Sequence, residues 1–247
     1  MAYEGMIAET IRLRGHNGDL IDGYSARPTG PGPYPGVIVV HHMPGWDEWS
    51  KEVTRRMAHH GYSAVCPDLH FRQGPGTPTE KADRVRKSGG QIDAFVISDL
   101  KAGEAYLRDL STANGKVGLI GFCSGGRVAY MASAKMPTLQ AAVDCWGGGV
   151  TSPPLELSVN QPVAPFDMTP DIKVPLLGIF GNEDKNPDPA QVDKIEAALK
   201  QHKKIYQFHR YDGAGHAFFN WEAERYRQGP AAEGWRRVYA FFEKHLR

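Results

Sequence analysis

Short apolar segments alternate with amphipathic segments of helical spacing over most of this 247-residue chain. The apolar runs have the length and composition of buried strands and lie at 36–40, 62–67, 116–121, 140–146, 174–181 and 204–211. Helical patterns lie between or after them, at 49–61, 92–110, 125–136, 189–202 and 234–246. Consecutive parallel strands need a crossover of about a dozen residues, usually a helix. The alternation therefore predicts an α/β fold with a mainly parallel sheet and helices on both faces.

The first 28 residues follow a different pattern. Segments 7–14 and 19–28 alternate apolar and polar residues around the turn signal GHNGD, which predicts an N-terminal antiparallel hairpin. Two long stretches rich in glycine and proline, 69–90 and 147–173, each follow a predicted strand and are predicted to be irregular. Ligands of open α/β sheets bind beyond the carboxyl ends of the strands, so both stretches are candidate pocket walls. Neither resembles a flexible linker, and we predict one domain over 1–247.

Charge and cysteine content narrow the range of partners. The formal net charge is +1 with basic and acidic residues interspersed, so we expect neither a nucleic-acid nor a membrane partner, but a neutral small molecule. No signal-peptide pattern or 18-residue apolar run occurs. The chain has three widely spaced cysteines. Their odd number and wide spacing are typical of reduced thiols rather than of disulfides or zinc ligands. We expect a cytoplasmic protein, a monomer or weak homodimer, with no metal and no cofactor.

The segment GFCSGG, residues 121–126, matches a nucleophile elbow, in which glycines stand two positions before and after the nucleophile. Centred on Cys123, the flanking residues are Gly121 and Gly125; centred on Ser124, the first would be Phe122, which is too large. The register predicts Cys123 as the nucleophile and the backbone N–H of Ser124 as an oxyanion donor. The alternative is a buried cysteine at a tight junction whose glycines serve packing alone.

A thiol nucleophile needs a base, and the base needs a group that orients it. In the α/β-hydrolase order, the acid and then the histidine follow the nucleophile along the chain. Asp184 lies just after the predicted strand 174–181, and His216 follows the last predicted strand on a glycine-bearing loop. Glu183 and Asp188 are alternatives for the acid. The three residues in this order predict a Cys–His–Asp triad.

The adjacent histidines in VVHHMPGWDEWS point to opposite faces of a strand, so His41 and His42 do not naturally share a metal ion. In the hydrolase layout, the loop after this strand carries the second oxyanion donor. We assign that donor to the backbone N–H of Met43.

With these residues placed, the chain resembles the dienelactone hydrolase family of cysteine enzymes with the α/β-hydrolase fold. The resemblance extends over most of the chain and is most specific in GKVGLIGFCSGG, GYSAVCPDLHFRQGPGT, FGNEDKNPDP and GAGHAFFN. It implies Cys123 as nucleophile, His216 as base, Asp184 as orienting acid, and the N–H groups of Ser124 and Met43 as the oxyanion hole. It also implies hydrolysis of lactones or esters without a cofactor. With a thiol as the nucleophile, we expect a thioester intermediate.

Two positions depart from the best-studied members of that family. His42 stands where they have a glutamate that keeps the cysteine neutral until substrate arrives, and Asn220 stands where they have a carboxylate-binding arginine. We hypothesise that a protonated His42 lowers the pKa of Cys123. The candidate pocket residues comprise these two together with several aromatic and basic side chains: Trp46, Phe71, Arg84, Arg86, Trp146 and Phe218.

Three other interpretations remain open. One is an esterase of unrelated substrate preference, including a serine-type esterase that uses Ser124. Another is a non-catalytic small-molecule binding protein with the α/β-hydrolase fold, because folds are reused without chemistry. A thiol peroxidase or disulfide exchanger is disfavoured because no second cysteine lies near Cys123 in the sequence.

Overall fold

The computed structural model describes residues 5–153 and 156–247. Within them, the strands are β1 (Met6–Arg14), β2 (Leu20–Pro28), β3 (Tyr34–Val40), β4 (Ser63–Pro67), β5 (Ala113–Phe122), β6 (Ala141–Cys145), β7 (Leu176–Gly181) and β8 (Tyr206–Tyr211). The α-helices are α1 (Glu48–His59), α2 (Pro78–Lys87), α3 (Asp93–Asp109), α4 (Ser124–Lys135), α5 (Pro189–Gln201) and α6 (Gln228–Leu246).

The strands follow the order β1-β2-β4-β3-β5-β6-β7-β8 in one eight-stranded sheet. Strand β1 pairs antiparallel with β2, and β2 pairs antiparallel with β4. The pairs β3–β4, β6–β7 and β7–β8 are parallel. The predicted N-terminal hairpin and the mainly parallel α/β sheet are confirmed.

Helix α2 corrects the prediction that 69–90 is irregular throughout. Thr77 caps the helix in a capping box with Glu80, and Pro78 occupies the first turn. A proline there has the helical φ and needs no N–H partner, so it starts the helix rather than breaking it. The sequence TPTE was the available signal, and the density of glycine and proline before it concealed the helix.

The chain divides into two compact units, and the first comprises the chain as far as Leu119 together with Ser158–Pro162 and Leu246. Strand β3 is apolar and buried along nearly its whole length. Helix α1 begins at its cap, Asp47, whose side chain accepts a hydrogen bond from Ser50 N–H. Its buried face includes Trp49, Val53 and Met57. The loop between β3 and α1 is thereby fixed at both ends.

The second unit comprises Ile120–Leu157, Val163–His245 and Arg247, and it holds the predicted triad. Strands β6 and β7 are fully buried. An aromatic cluster, defined by Phe122, Trp146, Phe218, Phe219 and Trp235, has neighbouring ring centroids 4.9–6.2 Å apart. The cluster joins the end of β5 to the loop that follows β8. It therefore anchors the two segments that carry the predicted nucleophile and base.

None of the helices in the described ranges is long and apolar enough to cross a membrane. The predictions of one domain over 1–247 and of a cytoplasmic location stay predictions.

Candidate active site

Cys123 occupies a sharp turn between β5 and α4. It is the N-cap of α4, with φ 56° and ψ −118°, a conformation that L residues rarely adopt. Strained backbone of this kind persists only where the surrounding structure holds it, and it is concentrated at functional sites. The Cys123 N–H donates to Cys145 O at 3.0 Å, which ties the turn to the end of β6.

The glycine register around this turn has a steric reason. A Cβ on Gly121 would overlap the carbonyl group of Gly125 and lie 3.0 Å from Gly126 N. Phe122 is instead buried in the aromatic cluster, with 1% of its surface exposed. Ser124 is the first residue of α4, where a backbone N–H has no intrahelical acceptor and is available to an anion.

Cys123 also differs from the other two cysteines in its exposure. Cys66 and Cys145 are buried, whereas Cys123 is partly exposed. Burial raises the pKa of both Cys66 and Cys145 well above the usual thiol value. Reactivity at neutral pH is therefore expected at Cys123 rather than at either of them.

His216 and Asp184 form a hydrogen-bonded pair on the loops after β8 and β7. His216 Nδ1 lies 2.8 Å from Asp184 Oδ2, so Nδ1 carries the proton that the carboxylate accepts. Asp184 is 6% exposed, and its Oδ1 accepts the N–H of Asn186 at 2.9 Å. The acid is thus held by the backbone on one side while it orients the imidazole on the other.

The protonation of His216 depends on both of its partners. Burial by itself would lower the pKa of His216, but hydrogen bonds to Asp184 and Cys123 outweigh burial and raise it to about 9. The imidazole therefore favours its cationic form at neutral pH. A cationic histidine hydrogen-bonded to a cysteine is the arrangement that stabilises a thiolate.

A cavity of about 280 Å³ lies beside the His216–Asp184 pair and is lined by Glu183, Asp184, Lys185, Gly215, His216, Arg225 and Arg227. Its three permanently cationic side chains, Lys185, Arg225 and Arg227, outnumber its two carboxylates, and protonation of His216 adds a fourth positive charge. The cavity is therefore suited to small polar or anionic groups.

The predicted pocket residues of the second unit have different environments. Trp146 and Phe218 belong to the aromatic cluster and are 1% and 0% exposed, so their evident role is packing beneath the His216 loop. Asn220 is half-buried and accepts the N–H of Glu222 at 3.0 Å through Oδ1, which shapes the turn after His216. The assignment of all three to a substrate pocket stays a prediction.

Three of the candidates in the first unit lie on the loop between β3 and α1. His42 is 9% exposed, and its Nε2 lies 2.6 Å from Asp47 Oδ2. Met43 is half-buried. Trp46 donates its indole N–H to Cys66 O at 2.9 Å, and Lys51 Nζ lies 4.2 Å from its ring centroid. Their predicted roles, including the oxyanion donor at Met43, stay predictions.

The remaining candidates lie between β4 and the end of α2. Phe71 is half-buried, with the Arg12 guanidinium 5.9 Å from its ring centroid. Arg84 and Arg86 are exposed; Arg84 donates to Pro75 O at 2.6 Å and Arg86 pairs with Asp83 at 2.7 Å. Both arginines thus have local partners within the predicted wall segment.

Sequence reasoning missed two acidic residues with unusual environments. Asp47 bonds His42, and its position at a helix N-cap before EWS was the available signal. Asp144 is 1% exposed at the end of β6, and a carboxylate inside the apolar run QAAVDCW was the signal for it. The described residues contain no group of three or more His, Cys, Asp or Glu side chains that could hold a metal ion.

Comparisons with known proteins extend over nearly the whole chain. The model of the dienelactone hydrolase family matches residues 21–246. A protein of Methylorubrum extorquens named "Putative carboxymethylenebutenolidase" is 34% identical over 98% of this chain and 82% of its own length. A protein of the same name from Synechocystis sp. is 36% identical over 92% of this chain and 93% of its own length. The crystal structure of a "Putative Dienelactone Hydrolase" from Klebsiella pneumoniae subsp. pneumoniae has a TM-score of 0.87 at 31% identity, covering 97% of this chain and 99% of that chain.

Proposed function

The chain belongs to the dienelactone hydrolase family, and on that premise we propose that it hydrolyses lactone or carboxylic ester bonds through a thioester on Cys123. The resemblance predicted from the motifs and the α/β-hydrolase fold are both confirmed by the family match and the Klebsiella structure. The family makes the chain a hydrolase. The triad, the intermediate and the substrate class are our proposals.

One observation carries the proposed mechanism: His216 is hydrogen-bonded to Asp184 and to Cys123, with its pKa raised to about 9. The resting state is then a Cys123 thiolate paired with a His216 imidazolium. The thiolate attacks the carbonyl carbon, and the carbonyl electron pair moves to oxygen. Backbone N–H groups stabilise this oxyanion, each contributing about 3–4 kcal/mol in well-studied hydrolases.

Collapse of the tetrahedral adduct breaks the bond to the alkoxide, which takes the proton from His216 Nε2 and leaves an acyl thioester on Cys123. Neutral His216 then accepts a proton from water, and the hydroxide that forms attacks the thioester carbonyl. Collapse of this second adduct breaks the C–S bond, which releases the carboxylic acid and restores the Cys123 thiolate beside the His216 imidazolium. Asp184 keeps the proton on Nδ1 throughout, so that Nε2 is the nitrogen that exchanges protons. Ser124 and Met43 are the proposed oxyanion donors.

The test is hydrolysis of p-nitrophenyl acetate and of a panel of lactones and esters that includes dienelactone. We expect turnover by the unchanged protein, loss of turnover in Cys123→Ala and His216→Ala, and retention in Ser124→Ala, whose backbone N–H is intact. Mass spectrometry of the quenched reaction should find the acyl group on Cys123.

Other outcomes select other functions. Full activity in Cys123→Ala with loss in Ser124→Ala would support a serine-type esterase and refute the proposal. Binding of panel compounds with no thiol-dependent turnover would support a binding protein of the same fold.

We further propose that residues 1–247 form one domain. The boundary between the two units falls between Leu119 and Ile120, inside strand β5. Separate domains are ordinarily joined by exposed linkers rather than by the middle of a strand. Urea unfolding followed by tryptophan fluorescence and by circular dichroism should give coincident transitions, whereas two separated transitions would refute the proposal.

A further inference from the structure

Asp144 is a carboxyl group in the core of the second unit, at the end of β6. Its side chain accepts the N–H of Gly147 at 2.7 Å through Oδ1. Oδ2 is buried and has no hydrogen-bond partner in the described part of the chain. A buried carboxylate without a cation or a full set of hydrogen bonds is costly, so its presence calls for an explanation.

One side of Asp144 contacts the turn that carries the proposed nucleophile. A Cβ on Gly126, in the first turn of α4, would overlap Asp144 Oδ1 and lie 2.8 Å from Cys145 O. Cys145 O is also the acceptor of the Cys123 N–H, at 3.0 Å. The carboxyl of Asp144 and the carbonyl of its neighbour thus pack against the same turn.

The other side of Asp144 leads to the proposed orienting acid. A Cβ on Gly147 would lie 2.5 Å from Asp144 Oδ1, and one on Gly148 would lie 2.9 Å from Asn186 O. Asn186 N–H donates to Asp184 Oδ1 at 2.9 Å. Backbone without side chains therefore fills the space between the Asp144 carboxyl and the loop that holds Asp184.

We propose that Asp144 is a positioning residue for the reaction proposed above: its neutral carboxyl holds Gly147 and Gly148, and through Asn186 the Asp184 loop, in register with the Cys123 turn. The proposal rests on the proposed function. Asp144 touches no reacting atom, so its contribution is geometric in the neutral form and electrostatic when it ionises.

The neutral form is the one that the surroundings favour. Burial raises the pKa of Asp144 to about 7, although the hydrogen bond from Gly147 lowers it in part. The charged or titratable groups on the packed elements are Arg127 and Tyr130 on α4, Cys145 on β6, Cys123 in the turn and Asp184 before α5. Burial raises the pKa of Tyr130 to about 12 and that of Cys145 well above the usual value, so both stay neutral near pH 7.

Ionisation of Asp144 places a negative charge in the core that contacts the Cys123 turn. A like charge disfavours both the thiolate and the oxyanion that forms from it. The kcat/KM of the unchanged protein should therefore fall as pH rises through about 7, the pKa of Asp144. In Asp144→Asn, which keeps the acceptor for Gly147 and cannot ionise, the fall should come only near pH 9, where His216 loses its proton.

The experiment compares Asp144→Asn, Asp144→Ala and the unchanged protein with p-nitrophenyl acetate from pH 5.5 to 9.5. We divide the kcat/KM of Asp144→Asn by that of the unchanged protein at each pH. This ratio should rise about tenfold between pH 6 and pH 8.5, which corresponds to a shift of one pKa unit in the group that the Asp144 charge acts on. Asp144→Ala removes the acceptor and should lower kcat about tenfold to a hundredfold at every pH, the cost of a displaced catalytic group. Identical pH profiles for the unchanged protein and Asp144→Asn would overturn the proposal.

A second readout does not require hydrolysis. The rate of iodoacetamide alkylation of Cys123 against pH should show an inflection near pH 7 in the unchanged protein that is absent in Asp144→Asn. If the two alkylation profiles are the same while turnover still depends on Cys123, the role of Asp144 is refuted and the proposed function is not. Turnover that is independent of Cys123 refutes the proposed function, while the alkylation profile still decides whether Asp144 acts on Cys123. If Asp144→Ala does not fold, Asp144→Asn carries both tests.

Discussion

Gly126→Ala tests how closely the end of β6 packs on the nucleophile turn. In an isolated helix, replacing glycine with alanine stabilises by about 0.5–1 kcal/mol. Here the added Cβ would overlap Asp144 Oδ1 and lie 2.7 Å from Gly147 Cα and 2.8 Å from Cys145 O, well inside the 3.4 Å of ordinary contact. All three neighbours are backbone atoms or a fully buried side chain, so none can move aside cheaply.

Overpacking of a well-packed core costs about 1–3 kcal/mol, and three simultaneous close contacts place Gly126→Ala at the upper end of that range. The clash therefore exceeds the helix-propensity gain, and we expect a net destabilisation of about 2 kcal/mol. For a chain of this length that corresponds to a thermal midpoint lower by about 4–8 °C. Because the turn must shift, thiol alkylation at Cys123 should slow as well.

Gly229→Ala is the matched control. Gly229 also lies in a helix, at a φ that is not positive, and an added Cβ there would meet nothing within 4 Å. Its thermal midpoint should be equal to or higher than that of the unchanged protein, the opposite sign to Gly126→Ala. Two variants of equal stability, or a stabilised Gly126→Ala, would refute the packing argument.

Two further variants test the charges of the site. Asp184→Asn should lower kcat by about 10³–10⁴-fold with little change in KM, because an amide can hold the wrong imidazole tautomer. Steady-state kinetics measure this effect. Asp188→Asn is the control, because an asparagine there keeps the N-cap of α5. The pKa of Asp144 rises from 3.8 to about 7 on folding, and each pKa unit corresponds to about 1.4 kcal/mol. Asp144→Asn should therefore be more stable than the unchanged protein by about 4 kcal/mol above pH 7, and equally stable below pH 4. As pH rises, Asp144 ionises in the unfolded chain before it ionises in the folded protein, so the unchanged protein loses stability between pH 4 and pH 7. Urea unfolding at pH 4 and pH 8 measures the free energy of unfolding of both proteins. Equal stability of the two at pH 8 would contradict the prediction.

The features that sequence reasoning identified correctly are encoded locally along the chain. The turn at Cys123 depends on glycines within three residues of it, and the strands are recognisable from uninterrupted apolar runs. Asp184 and His216 were predicted as the acid and the base because each lies shortly after such a run, and these roles stay predictions. Their hydrogen bond joins residues 32 positions apart, but the α/β-hydrolase order of elements anticipates it.

The features that sequence reasoning missed depend on packing between distant segments. Whether Asp144 is neutral depends on the burial produced by β6 and α4 together, and neither segment shows it alone. The burial of Trp146 and Phe218 in the aromatic cluster likewise depends on distant segments, and their assignment to a pocket stays a prediction. Helix α2 was missed for a simpler reason, since its start at Pro78 was interpreted as loop.

The His42–Asp47 pair changes the hypothesis about how Cys123 is activated. That hypothesis treated His42 as an unbalanced positive charge in place of the family's glutamate. Although burial raises the pKa of Asp47, hydrogen bonds from His42 and Ser50 outweigh burial and lower it below its usual value, so Asp47 is ionised at neutral pH. The pair then has a net charge of zero with a protonated imidazole and −1 with a neutral one, and neither state is net positive. A pair of that charge is a weaker source of stabilisation for a thiolate than a lone imidazolium, so we expect activation of Cys123 to come from His216, whose pKa of about 9 favours the cationic form at neutral pH.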